Sequence, residues 1–94
     1  MGFGRDQAET IALKALAWLA GNEDLLPQFL GASGLGPDEL AARAAEPELL
    51  GAVLDFILMN DDWVQAFCRG EHLAYDRLMA ARVALPGGEQ MHWT

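Results

Sequence analysis

The feature that most restricts the fold of this chain is its shortage of β-branched residues. They occur at only seven of 94 positions: Thr10, Ile11, Val53, Ile57, Val64, Val83 and Thr94. Strands are enriched in such residues because branched side chains pack well on a pleated surface. Alanine and leucine supply most of the apolar residues here, and both favour helix. We therefore predict an all-α fold.

Proline and glycine predict where the helices begin and end. Pro37 and Pro47 suit the first helical position, because the N–H that proline lacks would have no partner there. Gly21 suits the left-handed residue that ends a helix. We expect a compact bundle of about six helices. Their approximate ranges are residues 7–20, 25–31, 37–45, 47–59, 60–70 and 74–84.

Acidic side chains predict the caps of the first two helices. Asp6 and Glu9 have the spacing of a capping box, in which two side chains satisfy two backbone N–H groups reciprocally. Pro27 is tolerated only in the first turn of a helix, because further inside it would clash with the carbonyl four residues back. The second helix is therefore expected to begin at Leu25, with Asp24 as its cap.

A match between the two halves of the chain predicts an internal repeat. Residues 16–42 align with residues 54–80 without a gap, at an offset of 38. Eight pairs are identical: Leu16/Leu54, Asn22/Asn60, Asp24/Asp62, Phe29/Phe67, Leu35/Leu73, Asp38/Asp76, Leu40/Leu78 and Ala42/Ala80. Chance gives roughly two or three identities for such a composition.

The repeat predicts how the chain is organised. We expect one domain over residues 1–94, built from two pseudo-repeated three-helix units at about residues 6–45 and 46–85. Two units are too few for an extended solenoid, since at least three repeats are usually needed. The units are therefore expected to pack face to face, and residues 86–94 to form a flexible tail.

The order and spacing of several short segments also resemble a known family. In the first half they are Ala17-Trp18-Leu19-Ala20, Phe29-Leu30 and Gly34-Leu35-Gly36-Pro37. In the second half they are the apolar run from Ala52 to Leu58, then Asn60-Asp61-Asp62 and Ala66-Phe67. Over roughly residues 8–85 the chain is similar to a family of short alphaproteobacterial proteins of unknown function.

What the resemblance implies is limited to the kind of protein. It implies a bacterial, cytoplasmic, all-helical protein, and it brings no activity, cofactor or catalytic residue with it. The chain departs from the family pattern at two places. One is Pro27, where a small or polar helical residue is expected, and the other is the segment after Pro86.

The charge balance disfavours two classes of partner. Fourteen acidic residues against six basic ones give a net charge of −8. Nucleic-acid binding needs a basic patch that displaces counterions from phosphates, and anionic membrane surfaces attract clusters of lysine and arginine. We therefore expect neither nucleic acid nor a membrane as a partner. A single cysteine, Cys68, cannot form an internal disulfide, which indicates a cytoplasmic location.

Cysteine and histidine give no recognisable catalytic or metal site. Cys68 lies within a predicted helix rather than at a helix N-terminus, where the dipole would lower its pKa. It is interpreted as a small buried hydrophobic residue. A zinc site needs several ligands at a recognisable spacing, and His72 and His92 are the only histidines. We predict a surface histidine at His72 and no metal site.

The acidic residues have ordinary structural interpretations. The pairs Glu23/Asp24 and Asp61/Asp62 lack the alternating oxygen ligands and the glycine of a calcium loop, and helix capping explains why both pairs occur. Asp55 interrupts the most apolar predicted helix. It is expected either to face solvent or to form an ion pair with Arg43 or Arg82, and only a lone buried acid would indicate a functional site.

The sequence therefore favours a non-enzymatic protein-interaction module, with no catalytic, cofactor-binding or metal residue. The partner is an unknown protein or a second copy of the chain. A small enzyme or a ligand-binding protein, with a site formed only in three dimensions, is the alternative. Met91, His92 and Trp93 are the candidate partner contacts, because they combine a flexible thioether with a large aromatic of the kind enriched at binding hot spots.

Overall fold

Six α-helices and the turns between them account for the part of the chain that the computed structural model describes, residues 4–85. The helices are α1 (Arg5–Ala20), α2 (Leu26–Ser33), α3 (Pro37–Ala42), α4 (Pro47–Leu58), α5 (Asp61–Glu71) and α6 (Tyr75–Ala84). No strand occurs within these residues. The Cα radius of gyration is 12.6 Å, close to the roughly 12 Å of a compact domain of this length. The prediction of a compact six-helix bundle is confirmed.

The first helix begins earlier than predicted, and the proposed capping box is wrong. Its cap is Gly4, and the backbone N–H of Gly4 donates to Oε1 of Gln7 at 3.0 Å. Gln7 takes this role because Arg5 already has helical geometry, which puts Gln7, and not Glu9, three residues after the cap. Glu9 instead forms an ion pair with Arg5 at 3.5 Å.

The turn before α2 is organised by Asn22, so the predicted Asp24 cap is also wrong. The side-chain oxygen of Asn22 accepts hydrogen bonds from the backbone N–H groups of Asp24, at 3.1 Å, and Leu25, at 3.2 Å. An asparagine that bonds to its own downstream backbone is a common turn device. The helix starts after this turn, at Leu26, with Pro27 in its first turn as expected.

The core is centred on α4. Its residues Leu50, Val53, Leu54 and Ile57 are at most 1% exposed. The most extensive helix packing joins α1 to α4 and α6, and joins α4, α5 and α6 to one another. Helices α2 and α3 are outside this set, and they contact the rest of the bundle less extensively.

Helix boundaries in the two halves recur at the offset of the sequence match. Three of them lie 38 residues apart, at positions 20 and 58, 33 and 71, and 37 and 75. The agreement concerns local structure along the chain. The superposition of the two three-helix units in space stays a prediction.

Candidate functional site

An apolar groove lies where α1, α2 and α3 meet. Its volume is about 280 Å³. Every lining residue is apolar: Leu16, Ala20, Leu26, Leu30, Pro37, Leu40, Ala41 and Ala44. The groove thus presents hydrocarbon surface and no side-chain hydrogen-bonding group.

The turn between α2 and α3 shapes this groove. Gly34 ends α2 with a left-handed backbone, φ 78°, a conformation that glycine adopts without steric cost. Pro37 then starts α3, and Oε1 of Glu39 accepts a hydrogen bond from the backbone N–H of Gly36 at 3.0 Å. Because α3 has only six residues, it covers only part of the apolar surface offered by α1 and α2.

Three carboxylates lie close in sequence to residues that line the groove. Glu23 and Asp24 lie in the turn between the α1 and α2 residues of the lining, and Asp38 adjoins Pro37. All three are exposed, and no described cation forms an ion pair with them. The nearest base in sequence, Arg43, is bound to Glu46, with Nε 2.9 Å from Oε1. The Glu46 carboxylate raises the pKa of Arg43.

A second, smaller groove lies between α2 and α4. Its volume is about 180 Å³, and it is lined by Phe29, Ala32, Ser33, Ala52, Asp55, Phe56 and Met59. Asp55 has a side chain that is 45% exposed, and it forms a two-pronged ion pair with the buried Arg82. Nη2 of Arg82 lies 2.8 Å from Oδ2 of Asp55. Of the alternatives that the sequence left open for Asp55, the ion pair with Arg82 is the one found.

A third depression, of about 340 Å³, lies between α1 and the start of α6. Asp6, Gln7, Thr10, Ile11, Lys14, Leu73 and Arg77 line it. It carries charges of both signs, and every polar side chain in its lining is exposed. It therefore offers no chemically selective site.

Cys68 and His72 have structural surroundings. Cys68 is half-buried against the core, and burial raises the pKa of its thiol, which leaves it less reactive than an exposed cysteine. His72 is exposed and follows α5 in a left-handed conformation, φ 53°. Among residues 4–85, no three histidine, cysteine or acidic side chains gather where they would hold a metal ion.

The paired acids do not cap the helices with their own side chains. The cap of α5 is Asn60, whose side-chain oxygen accepts hydrogen bonds from the N–H groups of Asp62, at 2.8 Å, and Trp63, at 3.3 Å. Asp61 and Asp62 lie in the first turn of α5, where negative charge interacts favourably with the helix dipole. Asparagine competes for the cap because its side chain is as good an acceptor as aspartate.

Aromatic side chains from α1, α2, α4 and α5 pack against one another in or beside the core. The rings of Trp18 and Phe67 are 5.8 Å apart, edge to face. The ring of Phe56 lies 5.3 Å from that of Phe29 and stacks 4.9 Å from that of Trp63. These rings fill space between helices and do not form a cofactor site.

The groove was not predicted from the sequence, because its leucines have the same pattern as core leucines. Leu26 and Leu30 are half-buried, while Leu25 and Phe29 beside them are buried. The available signal was the brevity of α3, which the sequence analysis extended to about residue 45. The predicted partner contacts Met91, His92 and Trp93 lie outside the described residues.

Comparison with known proteins adds a family and nothing more. The family described as "Protein of unknown function (DUF3572)" matches residues 5–88 of the chain. No curated protein and no solved structure matches. Within residues 4–85, no helix is long and apolar enough to cross a membrane.

Proposed function

The chain belongs to this family of unknown function, as its resemblance implied, and we propose that it is a non-enzymatic module that binds another protein. The observation that carries the proposal is the apolar groove between α1, α2 and α3. A contiguous apolar surface rimmed by charged residues is typical of a protein contact site. The eight residues that line the groove have no polar side chain, which supports this proposal.

The alternative, a small enzyme or ligand-binding protein, is less well supported. Ligand sites usually combine an apolar lining with a few placed polar groups, in a volume of roughly 300–1,000 Å³. The groove has no polar side chain, and the polar side chains that line the 340 Å³ depression between α1 and α6 are all exposed. General acid–base catalysis needs a positioned titratable group, and none lines the groove.

A second copy of the chain is a candidate partner on separate evidence. Tyr75, Met79 and Val83 are four residues apart, so they share one face of α6, and they are 52%, 37% and 57% exposed. This apolar stripe favours a homo-oligomer. For the compartment we propose the cytoplasm, since one half-buried cysteine with a raised thiol pKa suits a reducing environment.

The test combines solution mass with partner retrieval from the native host. The wild-type chain, a variant lacking residues 87–94 and the variant Ala41→Phe are compared by light scattering and affinity purification. Ala41 is exposed and lines the groove, so phenylalanine should fill the groove without entering the core. The matched control is Ala52→Phe, an exposed position in the smaller groove. We expect a specific partner that Ala41→Phe loses and Ala52→Phe keeps.

A monomer that retrieves no partner, with or without residues 87–94, would refute the interaction function. It would return attention to a site for a small molecule. Loss of the partner only on deletion of residues 87–94 would move the contact to Met91, His92 and Trp93. Equal loss of partner binding in Ala41→Phe and Ala52→Phe would show that neither groove is specific.

A further inference from the structure

The groove between α1, α2 and α3 has a chemistry that restricts what it binds. Its lining is wholly apolar, whereas the charged residues around it are mostly acidic. Between residues 16 and 46 there are five carboxylates, Glu23, Asp24, Asp38, Glu39 and Glu46, and one base, Arg43. That base is already paired with Glu46. The segment of the chain that supplies the lining therefore carries a net negative charge.

The fold restricts the shape of the occupant. No strand occurs among residues 4–85, so no sheet edge is available there for an added β-strand. Proline-rich peptides bind grooves lined by aromatic rings, and no aromatic residue lines this one. An amphipathic helix that lays its apolar side chains into a groove between helices is the common mode of peptide recognition that suits an apolar lining.

The charge restricts the occupant further. A second copy of the chain would bring a net charge of −8 towards an acidic rim, and like charges at an interface disfavour association. A fatty acid would bring a carboxylate to the same rim. A helix with lysine or arginine beside its apolar face is attracted instead, because opposite charges steer the encounter and fix the orientation of the complex.

We propose that the groove binds a basic amphipathic helix of a partner protein. Apolar side chains spaced three or four residues apart enter the lining of Leu26, Leu30 and Leu40. The flanking lysines or arginines lie beside Glu23, Asp24 and Asp38. The inference rests on the proposed function and names the class of partner and the surface that binds it.

Synthetic peptides test this inference on the full chain. The first has leucines at helical positions i, i+3, i+7 and lysines on the remaining face. The second replaces every lysine by glutamate, and the third contains the residues of the first in an order without an apolar face. Titration calorimetry measures affinity, and NMR shifts of leucine methyl groups locate the site. We expect only the first peptide to shift Leu26, Leu30 and Leu40, and its affinity to fall as salt rises.

Two variants separate the charge from the apolar contact. Glu23→Gln, Asp24→Asn and Asp38→Asn combined should weaken the first peptide about tenfold and flatten its salt dependence, since three exposed charge contacts are lost. Ala41→Phe should abolish its binding, and Ala52→Phe should leave it unchanged. Circular dichroism verifies that each variant remains folded. A variant that has unfolded is replaced by Ala20→Phe, at another exposed lining position.

The outcomes distinguish this inference from the broader function. Equal binding of the basic and acidic peptides, or shifts outside the groove, overturns the basic-helix proposal. The proposal is also overturned if a native partner no longer binds Ala41→Phe but binds the charge-neutralised variant with unchanged affinity. In that case the interaction function stands. Specific binding of the first peptide at the groove, weakened by the charge-neutralised variant and lost in Ala41→Phe, supports the proposal.

Discussion

Helices α2 and α3 and helices α5 and α6 use similar local signals, yet they cover the core to different extents. Before each pair an asparagine, Asn22 or Asn60, accepts hydrogen bonds from the N–H groups two and three residues further along. A left-handed residue, Gly34 or His72, then follows the first helix of each pair. These shared signals set where the helices start and stop, but they do not determine how closely the helices pack.

The two pairs differ in length. Helices α2 and α3 have eight and six residues, whereas α5 and α6 have 11 and 10. Helix α6 packs extensively against both α1 and α4. Its shorter counterpart, α3, leaves an open groove.

The two pairs also differ in their ionic contacts. Arg82 on α6 is buried and bound to Asp55 on α4, and its Nη1 lies 3.5 Å from the carbonyl oxygen of Leu85. The residues 38 positions earlier are both alanine, Ala44 and Ala17. Ala44 lines the groove, and alanine has no long side chain to reach across to a neighbouring helix. The ion pair therefore connects α4 and α6 at the position that corresponds to the open groove in the first half.

The largest expected effect comes from the matched leucines of the two halves. Leu54 is 0% exposed, while Leu16 is 8% exposed and lines the groove. Leu54→Ala should lower the free energy of unfolding by about 2–5 kcal/mol, because it leaves a closed cavity. Leu16→Ala should cost less, because its cavity opens into a groove that is already present. Denaturant unfolding measures both. A loss below about 1 kcal/mol for Leu54→Ala would show that α4 is peripheral, and equal losses would remove the contrast between the halves.

The next effect tests the ion pair that the first half lacks. Asp55→Ala introduces the residue found at the matched position of the first half, Ala17, and removes the carboxylate that binds the buried guanidinium of Arg82. The free energy of unfolding should fall by about 1–3 kcal/mol, the usual cost of removing one partner of a buried hydrogen-bonded group. Glu46→Ala breaks the exposed pair with Arg43 and should change stability far less, because solvent screens such pairs.

A double variant decides whether the loss of the Asp55 carboxylate opposite the Arg82 charge is the cause. Asp55→Ala combined with Arg82→Met removes both charges and keeps an apolar side chain of similar length in the core. Replacing a whole buried ion pair by apolar residues is often neutral or stabilising. Stability should therefore recover in calorimetric melting. A double variant as unstable as Asp55→Ala alone would assign the loss to packing and not to charge.

Much of the fold was predictable because helix formation follows local signals. The dearth of β-branched residues predicted the all-α class, and the positions of Pro37 and Pro47 predicted the starts of α3 and α4 correctly. The caps were harder to predict. At the start of α1 Gln7 competes with nearby acids for the free backbone N–H groups, and before α2 Asn22 does so. Only the geometry of each turn decides which acceptor lies within reach.

The groove was not predictable for a different reason. A leucine at helical spacing predicts an inward-facing side chain, but whether a third helix covers it depends on packing between distant segments. Leu30 and Leu40 look alike in sequence, yet Leu30 is half-buried and Leu40 buried. Asp55 shows the same limit, because both of the arginines considered for it were plausible from sequence and only Arg82 lies across from it on α6.

The smallest expected effect compares the two asparagines. Asn60→Ala should lower the free energy of unfolding by about 1 kcal/mol, because Asn60 is the N-cap of α5 and its side chain satisfies two backbone N–H groups. Asn22→Ala should cost less. The backbone oxygen of Asn22 accepts from two N–H groups, those of Leu25 and Leu26, whereas that of Asn60 accepts only from Val64, so more of the Asn22 turn survives the loss of the side chain. Asn60→Ser keeps a good capping oxygen and should be close to neutral. Urea unfolding of the three variants ranks them. If Asn22→Ala lowers the free energy of unfolding more than Asn60→Ala does, the turn before α2 supports the fold more than the cap of α5.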